Sequence, residues 1–555
     1  MAPRKLVIVG GVAAGATAAA RARRLDETAE ITLLERGPYV SYANCGLPYF
    51  ISGDIQERGK LLLQTPQGFK NRYRVDAHVE TEALELDRAG HRVRVRGPQG
   101  ERWLAYDKLI LAQGGTPVRP PLPGADAPHV FTLWSVPDMD RLHQALEQGK
   151  PRSAVVVGGG FIGLEMAEAF RKRGLETTVV ELLPDVMAVM DHPFSMQVRR
   201  ELEAAGVKVL TGVGVQAVDG QARTVVLADG RQVPADVVLF SVGVRPELAL
   251  ARAAGLELGA SGAVKVDDRL RTSDPDILAA GDMVEVEHKV SGRRVRVPLA
   301  GPANRQGRIA ATNALGGELR YRGALGTSVV KIFEATAAST GLTERAAREA
   351  GFDAGVAVIH KDHHAGYYPG AQELSLALVY DRKTSRVLGA QAFGRAGVEK
   401  RIDVVATALQ GKLTLEDLAE LDLAYAPPYS SANDPLNLVA FVAQNDVSGA
   451  SPLLTAAALK QELASGSPPL VLDVRTQGEW DRGHLRGAVH VPIDALRAGW
   501  ETLPRGRRVV VHCKSGFRAH LAVRILKAHG FTEVVNLTGG WTSLQAEGGF
   551  DVEGA

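Results

Sequence analysis

Two glycine-rich turns, each between a predicted buried strand and a predicted helix, constrain the fold of this chain more than any other feature. The apolar run LVIVG (6–10) leads into the first turn, and AVVVGGG (154–160) leads into the second, about 150 residues later. Glycines permit a tight turn and let a pyrophosphate approach the amides at a helix N-terminus. The candidate dinucleotide-binding residues of the two turns are Gly10, Val12, Ala13, Ala14, Gly15, Gly158, Gly160, Phe161, Ile162, Gly163 and Glu165.

An acidic residue follows each turn at a distance that suits contact with a nucleotide ribose. Glu35 stands 20 residues after the last glycine of the first turn, and Glu181 stands 18 residues after that of the second. A carboxylate at position 181 favours a free 2′-hydroxyl over a 2′-phosphate, so NADH is the expected reductant. NADPH stays an alternative, because Arg171 or Arg173 is close enough in sequence to contact a phosphate.

Composition excludes several other classes of protein. The chain has 555 residues, 45% hydrophobic and 23% charged, with a formal net charge of +2, which predicts several soluble domains and neither a nucleic-acid nor a membrane partner. The apolar N-terminus imitates a signal peptide, but glycines interrupt it and a charged helix follows, so we expect a cytoplasmic protein. Cys45 and Cys513 are the two cysteines, which rules out a disulfide framework. We assign no metal site.

Three later segments select among proteins with two dinucleotide sites. YDKLILAQGGTPVRP and ADVVLFSVGVRP each predict a strand ending in a glycine turn, and TSDPDILAAGDM places Asp282 after another strand. Over roughly residues 4–445 the chain resembles the pyridine nucleotide–disulfide oxidoreductase family. The resemblance implies FAD at the first turn, with Asp282 holding the ribityl chain. It adds as cofactor-binding candidates Arg36, Val79, Ala112, Gly243 and Ala300.

The segment SYANCGLPY places Cys45 shortly after the first acid, and the second cysteine is 468 positions away (513 − 45). Neither C-x-x-C nor C-x-x-x-x-C occurs, so a redox role for Cys45 requires an external sulfur or oxygen partner. The alternative role is a small buried hydrophobe. The segment resembles the coenzyme A disulfide reductase subgroup, which includes NADH-dependent persulfide reductases. The resemblance implies that Ser41 and Asn44 flank the substrate sulfur, within a set of substrate-binding residues: Thr17, Arg21, Arg24, Ser41, Asn44, Asn304 and Asn433.

From helical spacing alone, the basic residues Arg21 and Arg24 have two possible interpretations. Thr17, Arg21 and Arg24 share one face of a helix, which suits either coenzyme A phosphates or solvent. In the subgroup, a tyrosine from each of HAGYYPG and AYAPPYSSANDP reaches the partner subunit's active site. The resemblance therefore implies a homodimer with shared active sites, in which Tyr367 and Tyr425 are catalytic candidates; packed tyrosines are the alternative.

The C-terminal segment VLDVRTQGEWDRGHLRGAVHVP resembles the rhodanese family. By that resemblance Asp473 and Arg475 brace the sheet, while His484 and Gly487 are structural. The strand VVVHC delivers Cys513 into a six-residue loop that ends at Arg518, before a helix. Backbone amides and nearby cations in such a loop suit a thiolate or persulfide anion. Cys513 and Arg518 are therefore candidates for sulfur transfer.

Together these features predict an α/β protein with two Rossmann-like dinucleotide-binding domains, an α+β dimerisation domain and a separate α/β rhodanese domain. The expected boundaries are 1–150 and 271–325 for the FAD-binding domain, 151–270 for the NAD(P)H-binding domain, 326–445 for dimerisation, 446–454 for a linker and 455–555 for rhodanese.

The expected function is reduction of coenzyme A persulfide or polysulfide, or of coenzyme A disulfide, coupled to a sulfurtransferase. Other low-molecular-weight persulfides are further substrate candidates. One alternative is an NADH peroxidase or oxidase with a rhodanese tail, which Ala13 disfavours because those enzymes typically carry a histidine there. Another alternative is a protein that binds or senses sulfane sulfur.

Overall fold

The computed structural model describes residues 3–554, which form two units. The first unit contains residues up to 184 together with 205–326, and the second contains 185–204 and everything from 327 onward. No helix within the described residues combines the length and apolar character that a membrane span requires.

The first unit contains two parallel five-stranded sheets, as the repeated strand–turn–helix pattern predicts. Each sheet pairs the strand before a glycine turn with the strand that ends directly before the following acid. The first sheet has the strand order Ile277–Ala279, Lys108–Leu111, Lys5–Val9, Glu30–Leu34 and Val75–His78. The second has the order Lys208–Leu210, Glu176–Val180, Ser153–Val157, Val237–Phe240 and Val130–Phe131.

Helices cover these sheets, and small sheets, antiparallel except for the parallel pairing of Val264–Lys265 with Val284–Glu287, complete the unit. The helices are Ala13–Leu25, Leu47–Ser52, Pro66–Tyr73, Val136–Gly149, Phe161–Lys172, Ala249–Ala253 and Ala300–Ala314. The remaining strands are Glu82–Asp87, Arg92–Gly97, Gly100–Ala105, Gly115–Pro117, Val215–Asp219, Thr224–Leu227, Gln232–Pro234, Val244–Pro246, Val264–Lys265, Val284–Glu287 and Arg294–Val295. Buried Val, Ile, Leu and Ala side chains of the central strands form the core.

The second unit begins with an antiparallel five-stranded sheet and its helices. The strand order is Ser328–Ile332, Ala335–Gly341, Val387–Gly394, Glu373–Asp381 and Ala354–Asp362. The helices are His192–Ala204, Glu344–Glu349, Val398–Gly411, Leu415–Ala419 and Pro435–Val447. The last helix extends into the segment that we expect to be a linker. There the buried Asp446 accepts hydrogen bonds from Tyr380 at 2.7 Å and Arg382 at 2.8 Å, and its carboxylate also accepts the Leu453 amide at 2.7 Å.

A separate parallel sheet follows in the same unit. Its strand order is Leu453–Leu454, Val534–Leu537, Val509–His512, Leu470–Asp473 and Val489–His490. Its helices are Ala456–Leu463, Gln477–Trp480, Ile493–Gly499, Phe517–Ala528 and Gly540–Glu547, and the short strands His484–Leu485 and Val552–Glu553 pair with each other. Cys513 comes directly after the central strand Val509–His512. It therefore lies at the sheet edge where the parallel strands end.

Candidate active sites

The first glycine turn has the close approaches that only glycine permits. Gly10 has φ +104°, and a Cβ there would lie 2.2 Å from the carbonyl oxygen of Ala112. A Cβ at Gly15 would lie 1.7 Å from the carbonyl oxygen of Gly10. The helix Ala13–Leu25 begins without a side-chain cap and without an acidic residue in its first turn. Its amides are therefore available to an anion such as a pyrophosphate.

The second glycine turn repeats this geometry. Gly158 has φ +107°, and a Cβ there would lie 2.3 Å from the carbonyl oxygen of Ser241. A Cβ at Gly163 would lie 2.0 Å from the carbonyl oxygen of Gly158. The helix Phe161–Lys172 also begins without a side-chain cap. The two turns thus provide two similar cradles within the first unit.

The two predicted acids lie beside the two turns. One oxygen of Glu35 accepts the Gly11 amide at 2.8 Å, and one oxygen of Glu181 accepts the Gly159 amide at 2.6 Å. The second oxygen of each carboxylate accepts another amide nearby, Gly37 or Leu183, each at 2.8 Å. Each acid therefore connects the end of its own strand to the neighbouring glycine turn.

The other cofactor candidates follow strands of the two sheets or begin a helix. Asp282 is half-buried after the strand Ile277–Ala279, and burial raises its pKa to about 6. A carboxylate in that environment gains from accepting hydroxyl hydrogen bonds, which suits a ribityl chain. Arg36 forms a 3.1 Å ion pair with Glu247. Val79 and Ala112 follow strands of the first sheet, Gly243 follows one of the second, and Ala300 begins a helix. The residues present fit FAD.

The arginines that leave NADPH open as an alternative have other partners. Arg171 donates to the carbonyl oxygens of Leu175 at 2.9 Å and Ala205 at 3.2 Å. Arg173 donates to Glu147 at 2.6 Å and to the carbonyl oxygen of Ile51. Contact between either guanidinium and a 2′-phosphate would require these bonds to break.

Cys45 lies in an exposed turn, Asn44–Gly46, that leads into the helix Leu47–Ser52. Its Sγ lies 3.7 Å from Oδ1 of Asn44. The nearby Ser41 has φ +46°, an unfavourable backbone conformation for a residue with a side chain, and such conformations concentrate at functional sites. Partial burial raises the pKa of the Cys45 thiol, and the charges of Glu165 and Asp282 raise it further. The protein groups around Cys45 therefore oppose a thiolate.

A hydrogen-bonded acid pair lies next to this cysteine. The Tyr49 hydroxyl donates to Oε1 of Glu165 at 3.2 Å, between the helix that follows Cys45 and the helix after the second glycine turn. Burial raises the pKa of Glu165 to about 7. Near neutral pH this carboxyl group exchanges a proton readily, which is the property required of a general acid or base.

Several predicted substrate residues meet on one face of the first unit. Thr17 Oγ1 donates to Oδ1 of Asn304 at 2.7 Å, and Arg21 Nε donates to Thr312 at 3.2 Å. Burial lowers the pKa of the Arg21 guanidinium, and the charges of Arg308 and Arg24 lower it further. Three cations that repel one another on an accessible surface attract an anionic group.

The two candidate tyrosines are hydrogen-bonded to each other in the second unit. The Tyr367 and Tyr425 hydroxyl oxygens are 3.2 Å apart, and their side chains are exposed, Tyr367 by 77%. The hydrogen bond to Tyr425 raises the pKa of Tyr367. The structure thus brings these two predicted residues together. Asn433 is exposed in the same unit, directly before the helix Pro435–Val447 and its capping residue.

A buried ion pair holds the two tyrosine-bearing segments. The guanidinium of Arg401 forms a 2.9 Å bond to Asp434, and both side chains are almost fully buried. Arg401 also donates to the carbonyl oxygen of His363 at 2.7 Å, close to Tyr367 in the chain. Ser430, in the segment after Tyr425, donates to Asp434 at 2.7 Å. The pair therefore fixes one segment from each side.

The loop after the C-terminal central strand surrounds Cys513. The cysteine is only 1% exposed, and the Gly516 amide donates to its Sγ at 3.1 Å. Gly516 has φ +105°, so a side chain there would strain the loop. Arg518 forms two hydrogen bonds with Glu479, at 2.6 and 2.7 Å. The pKa of Arg518 is raised, first by Glu479 and also by Cys513.

The segment 538–543 connects this loop to the antiparallel sheet of the same unit. The Trp541 amide donates to the carbonyl oxygen of Cys513 at 2.7 Å. Beside it, Thr538 Oγ1 accepts the Val358 amide at 2.7 Å. His360 lies 3.0 Å from the Ser543 hydroxyl, and burial lowers its pKa to about 4. A neutral histidine and two hydroxyl groups thus connect the Cys513 loop to the neighbouring sheet.

Matches to family models agree with this arrangement of sites. Residues 4–307 match the model of the pyridine nucleotide-disulphide oxidoreductases, and residues 327–435 match the dimerisation domain of the same proteins. The chain belongs to this family. Residues 455–547 match the rhodanese-like domain. The fold class and the family predicted from the sequence are confirmed, and the cofactors of the family are FAD and NAD(P)H.

Three similar proteins have related descriptions. A Pyrococcus abyssi protein named NAD(P)H sulfur oxidoreductase (CoA-dependent) is 36% identical over 79% of this chain and 98% of its own. The structure of reduced Bacillus anthracis CoADR-RHD is 40% identical, covers 99% of this chain and 98% of its own, and has a TM-score of 0.95. That of an NAD-dependent persulfide reductase from A. fulgidus is 39% identical, covers 97% and 99%, and has a TM-score of 0.90.

Three features of these sites are absent from the sequence predictions. The contact between Tyr49 and Glu165, the buried pair of Arg401 and Asp434, and the carboxylate of Glu479 on the Cys513 loop all join distant parts of the chain. The T-x-x-E pattern that ends at Glu479 is a helix-capping signal in the sequence. It gives no indication of the arginine partner.

Proposed function

We propose that this protein is an FAD-containing, NADH-dependent reductase of coenzyme A persulfide, polysulfide or disulfide, with a sulfurtransferase at its C-terminus. One observation carries the proposal: Cys45, the single cysteine among the first 512 residues, lies exposed beside Glu165 and Asp282, between two dinucleotide cradles. For a redox role, an exposed thiol without a second cysteine in its unit requires an external partner, and we propose that this partner is a sulfur atom. The names of the similar proteins support coenzyme A-linked sulfur compounds as that partner.

The sulfur step balances with Cys45 as the nucleophile. The Cys45 thiolate attacks the inner sulfur of a coenzyme A persulfide, a new S–S bond forms, and hydrosulfide leaves. Two electrons from NADH then cleave the mixed disulfide to the Cys45 thiolate and the coenzyme A thiolate. FAD supplies the two-electron relay between the nicotinamide and sulfur. With coenzyme A disulfide, the leaving group of the first step is a coenzyme A thiolate instead.

Protonation of Cys45 is the main electrostatic obstacle to this reaction, since burial and the neighbouring carboxylates raise its pKa and favour the thiol. Glu165, with its pKa near 7, takes up or releases the proton in the reductase cycle, and Tyr49 orients it. The hydroxyls of Tyr367 and Tyr425, contributed across a homodimer, protonate the leaving sulfur. Asn44 and Ser41 position the substrate sulfur beside Cys45.

The cationic face of the first unit binds the coenzyme A moiety. Arg21 and Arg24 contact its phosphates, while Thr17 and Asn304 orient them. Asn433 is a further residue that we propose for binding the substrate.

NADH is preferred over NADPH as the reductant. Glu181 lies at the ribose position, where its carboxylate favours a free 2′-hydroxyl. The nearby arginines, Arg171 and Arg173, are bound elsewhere, so neither is free to contact a 2′-phosphate.

At the C-terminal site Cys513 accepts a sulfane sulfur and passes it to an acceptor thiol. The Gly516 amide and the Arg518 guanidinium stabilise the persulfide anion on this cysteine. The reductase works in the cytoplasm, where a reducing environment keeps both cysteines free.

Anaerobic oxidation of NADH by the purified protein tests the reductase directly. Coenzyme A persulfide, coenzyme A disulfide and hydrogen peroxide are compared as oxidants, with Cys45→Ser as the control. We expect turnover of the persulfide with release of sulfide, and a loss of at least about 1,000-fold in the variant, because removing a nucleophile leaves only binding contributions. Turnover with peroxide alone would contradict the proposal and favour the peroxidase alternative.

A further inference from the structure

Both cations of the loop Cys513–Arg518 face a carboxylate. Arg518 is paired through both of its terminal nitrogens with Glu479, at 2.6 and 2.7 Å. Lys514 Nζ lies 4.0 Å from Glu373, and each of these two side chains is at least half exposed. The pair of Arg518 and Glu479 is therefore the stronger one, because two parallel bonds at a partly buried position stabilise more than a single exposed contact does.

Glu479 is held in place independently of Arg518. It is the third residue of the helix Gln477–Trp480, and its carboxylate accepts the amide and the hydroxyl of Thr476, each at 3.0 Å. The bonds from Arg518 and Thr476 lower its pKa to about 2. This carboxylate therefore remains charged at any pH at which the protein functions, and it offsets much of the positive charge that Arg518 presents to a second anion beyond the Cys513 sulfur.

A second arginine of the module, Arg475, is also paired with a carboxylate. Arg475 forms a buried 2.6 Å ion pair with Asp473, and its guanidinium lies 4.2 Å from the ring centre of Trp541. At the mouth of the loop, the side chain of Phe517 is 71% exposed. The approach to Cys513 thus offers an apolar ring and paired charges rather than a cluster of free cations.

Charge on the donor decides how such a site selects among sulfur compounds. Thiosulfate carries two negative charges on the atoms around its reacting sulfur, so it needs free cations within a few ångströms of that sulfur. A carboxylate 2.6 Å from the guanidinium removes most of that attraction and repels the dianion. An organic persulfide carries at most one negative charge at its sulfane sulfur, and any charges of its organic part lie several bonds away.

We propose that the sulfur donor of Cys513 is an organic persulfide rather than thiosulfate, and that Glu479 determines this choice. The inference rests on the sulfurtransferase proposed above and names its substrate class. In the loading step the Cys513 thiolate attacks the terminal sulfur of R–S–SH, forming Cys513–S–SH. The S–S bond of the donor breaks, and the electron pair leaves with RS⁻, so no oxidant or reductant is consumed.

The test measures sulfur transfer to cyanide by the full-length protein with two donors, glutathione persulfide and thiosulfate. For the unaltered protein we expect kcat/KM for thiosulfate to be at least about 100-fold lower than for glutathione persulfide. In Glu479→Gln, thiosulfate use rises about tenfold, while glutathione persulfide use stays within about threefold. Glutamine serves the same capping position, so the helix start is preserved.

Glu373→Gln is the matched control, because it removes a carboxylate from the more distant and exposed pair. We expect it to change thiosulfate use by less than about threefold. Equal use of both donors by the unaltered protein, or an unchanged donor ratio in Glu479→Gln, would overturn the inference.

Mass analysis of Cys513 after exposure to each donor separates this inference from the proposal beneath it. Loading by glutathione persulfide alone supports both. Loading by both donors at equal rates overturns the specificity and leaves the sulfurtransferase standing. If neither donor adds a sulfur atom to Cys513, the sulfurtransferase falls and the specificity with it.

Discussion

Cys45 and Cys513 have nearly opposite surroundings. The Cys45 side chain reaches the surface. The protein atoms that cover part of it, together with the charges of two carboxylates, raise the pKa of its thiol. Cys513 is buried, receives a backbone amide at 3.1 Å and has a guanidinium nearby. An exposed thiol with a raised pKa suits a reaction cycle in which a neighbouring group accepts its proton and later returns it. A buried sulfur with donors around it suits storage of a persulfide. The difference teaches that the role of each cysteine is set by the elements packed around it.

The largest effect that separates the two sites comes from the buried pair that holds the tyrosines. Arg401→Met leaves the buried Asp434 with only the longer contact to Lys400 at 3.6 Å as an ion pair, which costs up to about 3 kcal/mol of stability in that region. Because Tyr367 and Tyr425 lose their support, the Cys45-dependent reductase rate falls at least tenfold, while sulfur transfer at Cys513 stays within about twofold. Thermal unfolding and the two activity assays measure these changes.

Arg395→Met is the control for that variant, since it removes an exposed arginine whose nearest carboxylate oxygen lies 3.3 Å away. Exposed pairs contribute less than about 1 kcal/mol, so both activities should persist. An equal loss of both activities in Arg401→Met would show that the pair merely stabilises the unit as a whole.

Acid should destabilise the surroundings of Cys513 through two buried histidines. Burial lowers the pKa of His360 and that of His512 to about 4 each. As pH falls, these histidines take up protons in the unfolded chain at a higher pH than in the folded chain. The free energy of unfolding therefore decreases between about pH 6.5 and pH 4, by roughly 3 kcal/mol per histidine. Urea unfolding monitored at several pH values measures the slope.

The variant His360→Gln keeps hydrogen-bonding atoms near Ser375 and Ser543 and removes one titrating group. We expect its stability to vary less steeply with pH over this range. A slope identical to that of the unaltered protein would contradict the assignment of a neutral, buried His360.

A smaller effect is expected on the reactivity of Cys45. Glu165→Gln removes one charge that raises the pKa of Cys45, so the rate of alkylation by iodoacetamide at about pH 8 should increase about threefold. Peptide mass analysis reads Cys45 and Cys513 in the same sample, and the buried Cys513 serves as an unchanged reference. Glu147→Gln, which removes an exposed acid paired with Arg173, should leave both rates as they are. Equal rates in the two variants would remove Glu165 from the electrostatics of Cys45.

The sequence predicts the elements with local signals well. The strands before both glycine turns, the helices after them and the acids Glu35 and Glu181 lie as the motifs predict, because each signal depends on a few neighbouring residues. For the rhodanese module, the resemblance to a known family made the fold predictable as well.

Contacts between distant segments could not be predicted in the same way. Glu479 and Arg518 are 39 positions apart, and Tyr49 and Glu165 are 116 apart. Neither pair has a periodic pattern that reveals the partner, since packing of whole elements brings them together. The electrostatics of Cys45 depend on the same packing, so the raised pKa of its thiol had no signal in the sequence.

The most direct test of the account compares Cys45→Ser and Cys513→Ser in two assays on the same preparations. One assay follows anaerobic NADH oxidation by coenzyme A persulfide, and the other follows sulfur transfer from glutathione persulfide to cyanide. The account predicts that each variant loses one activity and keeps the other within about threefold. Loss of NADH oxidation in Cys513→Ser would contradict it, and would mean that the reductase only resets a sulfur-binding site at Cys513.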